Sequence, residues 1–204
     1  MADYKKPDHW QQKARMEGYP ARSVYKLKEI DEKFGLFKTS SQALRILDIG
    51  AAPGSWSLYV LRKIPSNSFL AAVDLSPLSR EFDKGLFDSG NFLFVQGDVT
   101  AQETGELLLS KGPFSVIVCD AAPNTTGSHT VDCARSLCLA ETALSFAEKA
   151  LVPGGKLAVK IFQGSGTDTL LKYMRTIFKT AKSFKPQACR GESVETYFVG
   201  LEKL

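Results

Sequence analysis

Cysteine and histidine are scarce in this chain, with four cysteines and two histidines among 204 residues. No two cysteines form a C-x-x-C pair, so the ligand spacing of a zinc centre is missing and no resident metal is expected. Cys119 stands inside an apolar run and reads as a buried thiol. Nothing suggests a disulfide scaffold, and a reducing compartment is expected. No apolar run is long enough to span a bilayer, and the polar start lacks the apolar centre of a secretory signal. The expectation is a cytoplasmic protein with no membrane partner. Internal repeats, low-complexity tracts and linkers are also missing, which points to one domain over residues 1–204 with a full-sized core.

Charge of one sign is not in large excess either: the net charge is +4 and the isoelectric point is near 8.8. Its placement is uneven. Residues 1–28 hold seven basic side chains (Lys5, Lys6, Lys13, Arg15, Arg22, Lys26, Lys28) against three acids (Asp3, Asp8, Glu17), an excess equal to that of the whole chain. Tyr4, Trp10, Tyr19 and Tyr25 are interleaved with them. Residues 1–38 therefore read as a basic, aromatic-bearing arm, with 39–204 as the α/β core. Basic groups beside rings suit nucleic acid, because charges meet phosphates and rings stack on bases. A solvated helix packed over the sheet edge would carry the same pattern, and both readings stay open. Within the arm, the spacing of Val24, Leu27, Ile30 and Phe34 predicts a helix over 23–34.

The G-x-G-x-x-G fingerprint of dinucleotide-binding folds is also absent. In its place stands Asp48-Ile49-Gly50-Ala51-Ala52-Pro53-Gly54-Ser55-Trp56-Ser57, which follows a short apolar run and opens an amphipathic segment. That is a strand, a tight loop and a helix N-terminus. Gly50 and Gly54 allow a sharp turn and a close approach to a ligand, and the helix start offers unpaired N–H groups. The Gly50-x-x-x-Gly54 spacing weakens the case for a pyrophosphate. It favours a ligand with an adenosine and no phosphate, such as S-adenosylmethionine. A glycine turn between two core elements is the bland alternative.

Further strands are expected over 69–74, 92–96, 114–120 and 156–162, and helices over 101–111, 132–151 and 169–180, with Pro153-Gly154-Gly155 as a helix stop. In the 169–180 segment, Leu170, Leu171, Met174, Ile177 and Phe178 form the inner face, and Lys172, Arg175, Lys179 and Lys182 a basic ridge. Two last strands, 182–187 and 195–201, are separated by too few residues for a parallel crossover and should pair antiparallel. With the strand before the glycine loop this makes seven.

Ligands of such sheets sit beyond the carboxyl ends of the strands. Four acids are expected at that edge: Asp48, Asp74, Asp98 and Asp120. Asp74 lies 24 positions after Gly50, near the ~20 of a carboxylate that binds ribose hydroxyls. Asp98 could accept the amine of an adenine. Trp56 could line the site or belong to the core. Lys160, inside Ala158-Val159-Lys160-Ile161-Phe162, is costly to bury unless paired, or it snorkels its amine to the surface. Asp120-Ala121-Ala122-Pro123-Asn124 lacks the aromatic of the D-P-P-Y type used in base amino-group methylation, which argues against that chemistry.

These stretches resemble one family. Arg22-Ser23-Val24-Tyr25-Lys26-Leu27, the Asp48–Trp56 segment, Val95-Gln96-Gly97-Asp98, Asp120–Asn124, Val159-Lys160-Ile161-Phe162-Gln163-Gly164 and Glu195-Thr196-Tyr197 are similar, in order, to the FtsJ/RrmJ family of RNA ribose 2′-O-methyltransferases. The nearest branch is the bacterial one that methylates a uridine of large-subunit rRNA. The resemblance implies a Rossmann-like, S-adenosylmethionine-dependent methyltransferase fold: a seven-stranded, mostly parallel sheet with an antiparallel C-terminal strand and helices on both faces. It implies a catalytic tetrad at Lys26, Asp120, Lys160 and Glu195, and donor contacts at Gly54, Trp56, Asp74, Asp98 and Asp120. The cofactor would be S-adenosylmethionine, leaving S-adenosylhomocysteine, with no metal. The partner would be large-subunit rRNA or the assembled large ribosomal subunit, met by a monomer. A ribose in tRNA is the alternative substrate. A nicotinamide-dependent oxidoreductase and a non-catalytic RNA-binding protein on the same fold are the rivals from other classes. Burial and a nearby Lys26 would help Lys160 lose its proton, whereas Asp120 and Glu195 would oppose it, so general base and positioning group both stay open.

Overall fold

The computed structural model describes residues 8–38, 42–191 and 193–204, so Tyr4, Lys5 and Lys6 of the arm lie outside the described residues. Helix α1 (His9–Met16) starts where the Asp8 carboxylate accepts the Gln11 N–H at 2.8 Å. Helix α2 (Val24–Phe34) ends at Gly35, whose φ of 62° lets its N–H bond back to the Asp31 carbonyl. Val24, Leu27 and Ile30 of α2 are wholly buried. Each such side chain contributes about 1.5–3 kcal/mol on burial, which is enough to hold α2 on the body whatever its charges do.

Seven strands follow: β1 (Arg45–Ile49), β2 (Phe69–Asp74), β3 (Phe92–Gln96), β4 (Phe114–Cys119), β5 (Leu151–Phe162), β6 (Phe178–Phe184) and β7 (Glu195–Lys203). Between them lie α3 (Ser55–Lys63), α4 (Gln102–Leu109), α5 (His129–Ala150) and α6 (Thr167–Ile177). They build one sheet in the order β3-β2-β1-β4-β5-β7-β6. β1 to β5 run parallel, and β7 pairs antiparallel with both β5 and β6. The fold is the Rossmann-like one expected, with a reversed strand at its C-terminal end. The sheet grows outward from β1 toward β3 on one side and from β4 toward β6 on the other. That reversal opens a crevice beyond the carboxyl ends of β1 and β4.

Side-chain alternation divides the core into two layers. Ile46, Val116, Val118, Ala158, Tyr197 and Val199 pack against α2 and α3. Leu47, Ile117, Val159, Ile161 and Phe198 pack against α4, α5 and α6 on the other face. Lys160 falls between Val159 and Ile161 in this alternation, so it projects to the α2–α3 side, opposite Tyr197 in the β5–β7 register. No described helix is long and apolar enough to cross a membrane.

Several expectations need correction. The helix expected over 169–180 stops at Ile177, and Phe178 to Thr180 already belong to β6, so the strand expected over 182–187 lies at Phe178–Phe184 instead. Phe178 fits helical spacing, but its ring fills the space over Gly200 of β7, where a Cβ would lie 2.6 Å from it. The basic ridge is therefore not a helix face: Lys172 and Arg175 lie on α6, while Lys179, paired with Glu202 at 2.8 Å, and Lys182 lie on β6. β5 begins at Leu151, before Pro153-Gly154-Gly155, and its register against β4 jumps from Phe114↔Leu151 to Val116↔Lys156. The Pro-Gly-Gly run is thus a bulge within the strand. Finally, Asp48 lies inside β1 and is wholly buried, not at the ligand edge.

Candidate active site

At the switch point lies a cavity of about 430 Å³, within the ~300–1,000 Å³ of small-ligand sites. Gly50, Asp74, Asp98, Asp120 and Lys160 line it, together with Ser23 from the start of α2. Gly50 is obligatory. Its φ is 77°, and a Cβ there would lie 2.4 Å from the backbone nitrogen of Ala121. The ends of β1 and β4 touch through a glycine, and any side chain would force them apart.

Asp74, at the end of β2, ties the loop down: Oδ2 accepts the Ala52 N–H at 2.9 Å and Oδ1 the Ser76 N–H at 2.8 Å. A carboxylate has about four lone-pair sites, so two acceptor positions remain for a ligand. Asp98 Oδ1 accepts the Thr100 N–H at 2.8 Å and its hydroxyl at 2.7 Å. These bonds, the backbone one first, hold its carboxyl below the ordinary range, and it stays an acceptor at neutral pH.

Gly54 and Trp56 are not among the residues lining the cavity. Gly54 opens α3 with φ 106°, and a Cβ there would come 2.9 Å from the Phe87 ring. Trp56 is buried. Its indole N–H donates to the Ser23 carbonyl at 2.9 Å, and its ring lies 5.9 Å from that of Tyr197. It joins α3 to the start of α2, one turn from Lys26.

Four charged residues from four parts of the chain meet beside the cavity. Lys160 Nζ, on β5, lies 3.0 Å from Asp120 Oδ1 and also donates to the Asp120 carbonyl. Lys26 Nζ, on α2, lies 2.6 Å from Glu195 Oε1, at the start of β7. Tyr197 links the two pairs, its hydroxyl 2.6 Å from Asp120 Oδ1 and 2.9 Å from Glu195 Oε1. All four side chains of these ion pairs are less than 15% exposed, so their mutual charges are weakly screened. Burial pulls the Lys160 ammonium down, but the carboxylates of Asp120 and Glu195 outweigh it, and its pKa lies above the ordinary lysine value. The structure resolves the competition left open by the sequence: at rest Lys160 is charged. Tyr197 is raised well above the ordinary phenol, by burial first and then by Asp120 and Glu195.

Sequence reasoning gave Tyr197 no separate role, although it stands two residues from Glu195 and so on the same face of one strand. It also placed Asp48 wrongly. Asp48 accepts the Ser57 hydroxyl at 2.7 Å, and its second oxygen has no partner among the described residues. Burial pushes its carboxyl up to about 7.

The arm is bound to the body. Arg22 pairs with Asp8 and donates to the Ala188 carbonyl at 2.6 Å. Lys28 pairs with Glu17 at 2.5 Å, and Arg15 with Glu81 at 2.9 Å. Tyr19 and Tyr25 are buried, so their rings are core surfaces, and Trp10 is half-buried against Tyr25.

Residues 19–203 match the family described as FtsJ-like methyltransferase. The chain is 47% identical over 199 residues to the ribosomal RNA large subunit methyltransferase E of Treponema denticola, covering 98% of this chain and 96% of the relative. Among solved structures, it resembles a ribosomal RNA methyltransferase from Plasmodium falciparum with a TM-score of 0.71 and 26% identity, covering 91% of this chain and 99% of that one. It shares the fold of human methyltransferase-like protein 13 in complex with SAH, at a TM-score of 0.58 and 16% identity, over 87% of this chain and 83% of the other.

Proposed function

Because the chain belongs to the FtsJ-like methyltransferase family, we propose that it transfers a methyl group from S-adenosylmethionine to the 2′-hydroxyl of a ribose in large-subunit rRNA, the target being a uridine. The observation that carries this reading is that Lys160, paired with Asp120, opens into the same cavity as Asp74 and Asp98. Donor-holding acids and a candidate base thus share one space. The lining suits the donor: an obligate glycine lets the backbone approach, and two carboxylates keep acceptor capacity for a ribose diol and an adenine amine. Asp74 and Asp98 would take those contacts. Gly54 and Trp56 would contribute through the loop and helix start they shape. When bound, the donor supplies an electrophilic methyl on a sulfonium.

The remaining work falls to the tetrad. A ribose hydroxyl is a poor nucleophile, and it must be held in line with the methyl. Positioning of this kind can supply ~7–11 kcal/mol, and a base can add ~10²–10⁴-fold. Lys160 would hold the hydroxyl and take its proton. Since it is charged at rest, it must first give one up, which the positive charge of a bound donor beside it favours. Asp120 fixes the amine from two oxygens, and Lys26 with Glu195 closes the outer side of the site.

The test is methyl transfer from labelled S-adenosylmethionine to large ribosomal subunits, free rRNA and tRNA, followed by nucleoside analysis. Label on a ribose of the rRNA, absent with Lys160→Met, is the expected result. Label on a base, or on tRNA alone, would overturn the ribose or the rRNA assignment respectively.

A further inference from the structure

We propose that Tyr197 is a positioning residue that passes a proton between Asp120 and Glu195, so that Lys160 is emptied of its proton toward Lys26 and Glu195 and not into the donor cavity. The inference rests on the reading of Lys160 as the base.

The geometry carries it. A phenol has one hydrogen and two lone pairs. Tyr197 Oη nevertheless lies within hydrogen-bond distance of two carboxylate oxygens, 2.6 Å from Asp120 Oδ1 and 2.9 Å from Glu195 Oε1. Ionised carboxylates only accept, so one hydrogen serves two acceptors. The second contact is satisfied only when a proton enters the chain. Lys160, 3.0 Å from Asp120 Oδ1, is the donor placed to supply it. The atoms thus form an unbroken line: Lys160 Nζ, Asp120 Oδ1, Tyr197 Oη, Glu195 Oε1, Lys26 Nζ.

Among the described residues, the charged groups that act on the phenol belong to this line. Asp120 follows β4, Lys160 lies on β5, Glu195 on β7 itself and Lys26 on α2. Cys189, before β7, donates its thiol to Glu195 Oε1 at 3.5 Å. From α3 comes the uncharged Trp56, whose ring holds the phenol in place. The tyrosine keeps its own hydrogen at working pH, since burial and the two carboxylates hold its pKa well above the ordinary value. It can therefore relay a proton without remaining ionised.

The transfer balances. An N–H bond of Lys160 breaks and an O–H bond forms on Asp120 Oδ1. The O–H of Tyr197 breaks as one forms on Glu195 Oε1, and Tyr197 regains its hydrogen from Asp120. The net change is one proton moved from Lys160 to Glu195, with Tyr197 and Asp120 restored. Glu195 returns that proton to solvent on the Lys26 side. The neutral Lys160 amine then takes the 2′-hydroxyl proton as the ribose oxygen bonds to the methyl carbon. The carbon–sulfur bond breaks, and its electron pair stays on sulfur. One proton leaves per methyl transferred.

The test compares single-turnover methyl transfer by the whole protein and by Tyr197→Phe, from about pH 6 to pH 10 with large ribosomal subunits and free rRNA. Phenylalanine keeps the ring on Trp56, and a donor-binding titration verifies that the variant is folded. The expected result is a ~10–100-fold lower rate at neutral pH with donor affinity unchanged. The rising limb of the rate should also move up by about one pH unit, because Asp120 loses its hydrogen-bond donor and holds the Lys160 proton more tightly. Replacing Tyr197 with a fluorinated tyrosine, which keeps the hydroxyl and lowers its pKa, should move the limb the other way. A wild-type protein that methylates no ribose overturns the functional reading and this proposal with it. A wild type that transfers, beside a Tyr197→Phe variant equal to it in rate and pH profile, overturns the relay alone.

Discussion

Lys160→Met removes the ammonium while keeping most of the side-chain stem. In the structure Lys160 is 7% exposed, and its amine holds both Oδ1 and the carbonyl of Asp120. Two consequences separate. The first is kinetic: without the group that holds and deprotonates the hydroxyl, transfer should fall by ~10²–10⁴-fold, equal to about 3–5 kcal/mol of barrier at ~1.36 kcal/mol per decade. Donor affinity should stay within about threefold, because Asp74, Asp98 and the glycine loop remain intact. The second is thermodynamic. Breaking a buried pair from one side costs up to about 3–5 kcal/mol, less here because Tyr197 still donates to Asp120. At ~2–4 °C per kcal/mol for a chain of this size, the melting temperature should drop by about 5–15 °C near neutral pH. Burial pulls the Lys160 ammonium down, but Asp120 and Glu195 outweigh it, so in the wild type its folded pKa lies above the ordinary lysine value. The stability the pair supplies is therefore fully present near neutral pH and lost only as pH rises through the lysine range, so the deficit should shrink toward alkaline pH. Single-turnover transfer, calorimetric donor titration and thermal unfolding at two pH values measure all three. Near-wild-type transfer would refute the role of Lys160, and a large loss of donor affinity would refute the claim that it acts on the hydroxyl alone.

Three further outcomes are expected. Asp48→Asn should flatten the pH dependence of stability: the raised carboxyl, at about 7, favours folding at low pH, a contribution on the order of 4 kcal/mol that is lost as pH rises from about 4 through about 7. Unchanged unfolding curves at those two pH values would contradict this. Gly50→Ala places a Cβ 2.4 Å from the Ala121 backbone at φ 77°, so it should cost at least ~1–3 kcal/mol and abolish donor binding, as checked by denaturant unfolding and titration. Asp74→Asn keeps the size but loses the charge, and donor affinity should fall by ~10–150-fold for loss of ~1.5–3 kcal/mol in charged hydrogen bonds, read by calorimetry. A change below twofold would exclude Asp74 from the donor site.

The local sequence made most of the fold legible. The apolar runs at Phe69–Asp74 and Phe92–Gln96 are strands with the bounds expected, because an apolar run closed by turn residues suits a strand of a parallel sheet. The short gap before Glu195 required β7 to reverse against β6. Where expectation failed, a contact remote in sequence had decided. Phe178 suits a helix face by spacing but is drawn into β6 by the space over Gly200. Pro153-Gly154-Gly155 reads as punctuation, yet β4 offers pairing on both sides of it. Asp48 looks like an edge acid, and only the span of β1 shows that its carboxyl lies under α3 against Ser57.

The same division holds at the site. Residue types in sequence suffice for the glycine loop, since a positive φ beside another backbone excludes every side chain, and for the oddity of Lys160, since a lysine between valine and isoleucine needs a partner. Which partner, and with what effect on its proton, is a matter of distances between β4, β5, α2 and β7. Electrostatic interaction in a poorly screened interior depends on separation and burial, neither of which is written in the local pattern. The phenol that joins Asp120 to Glu195 became visible only when the reversed strand β7 was laid beside β5.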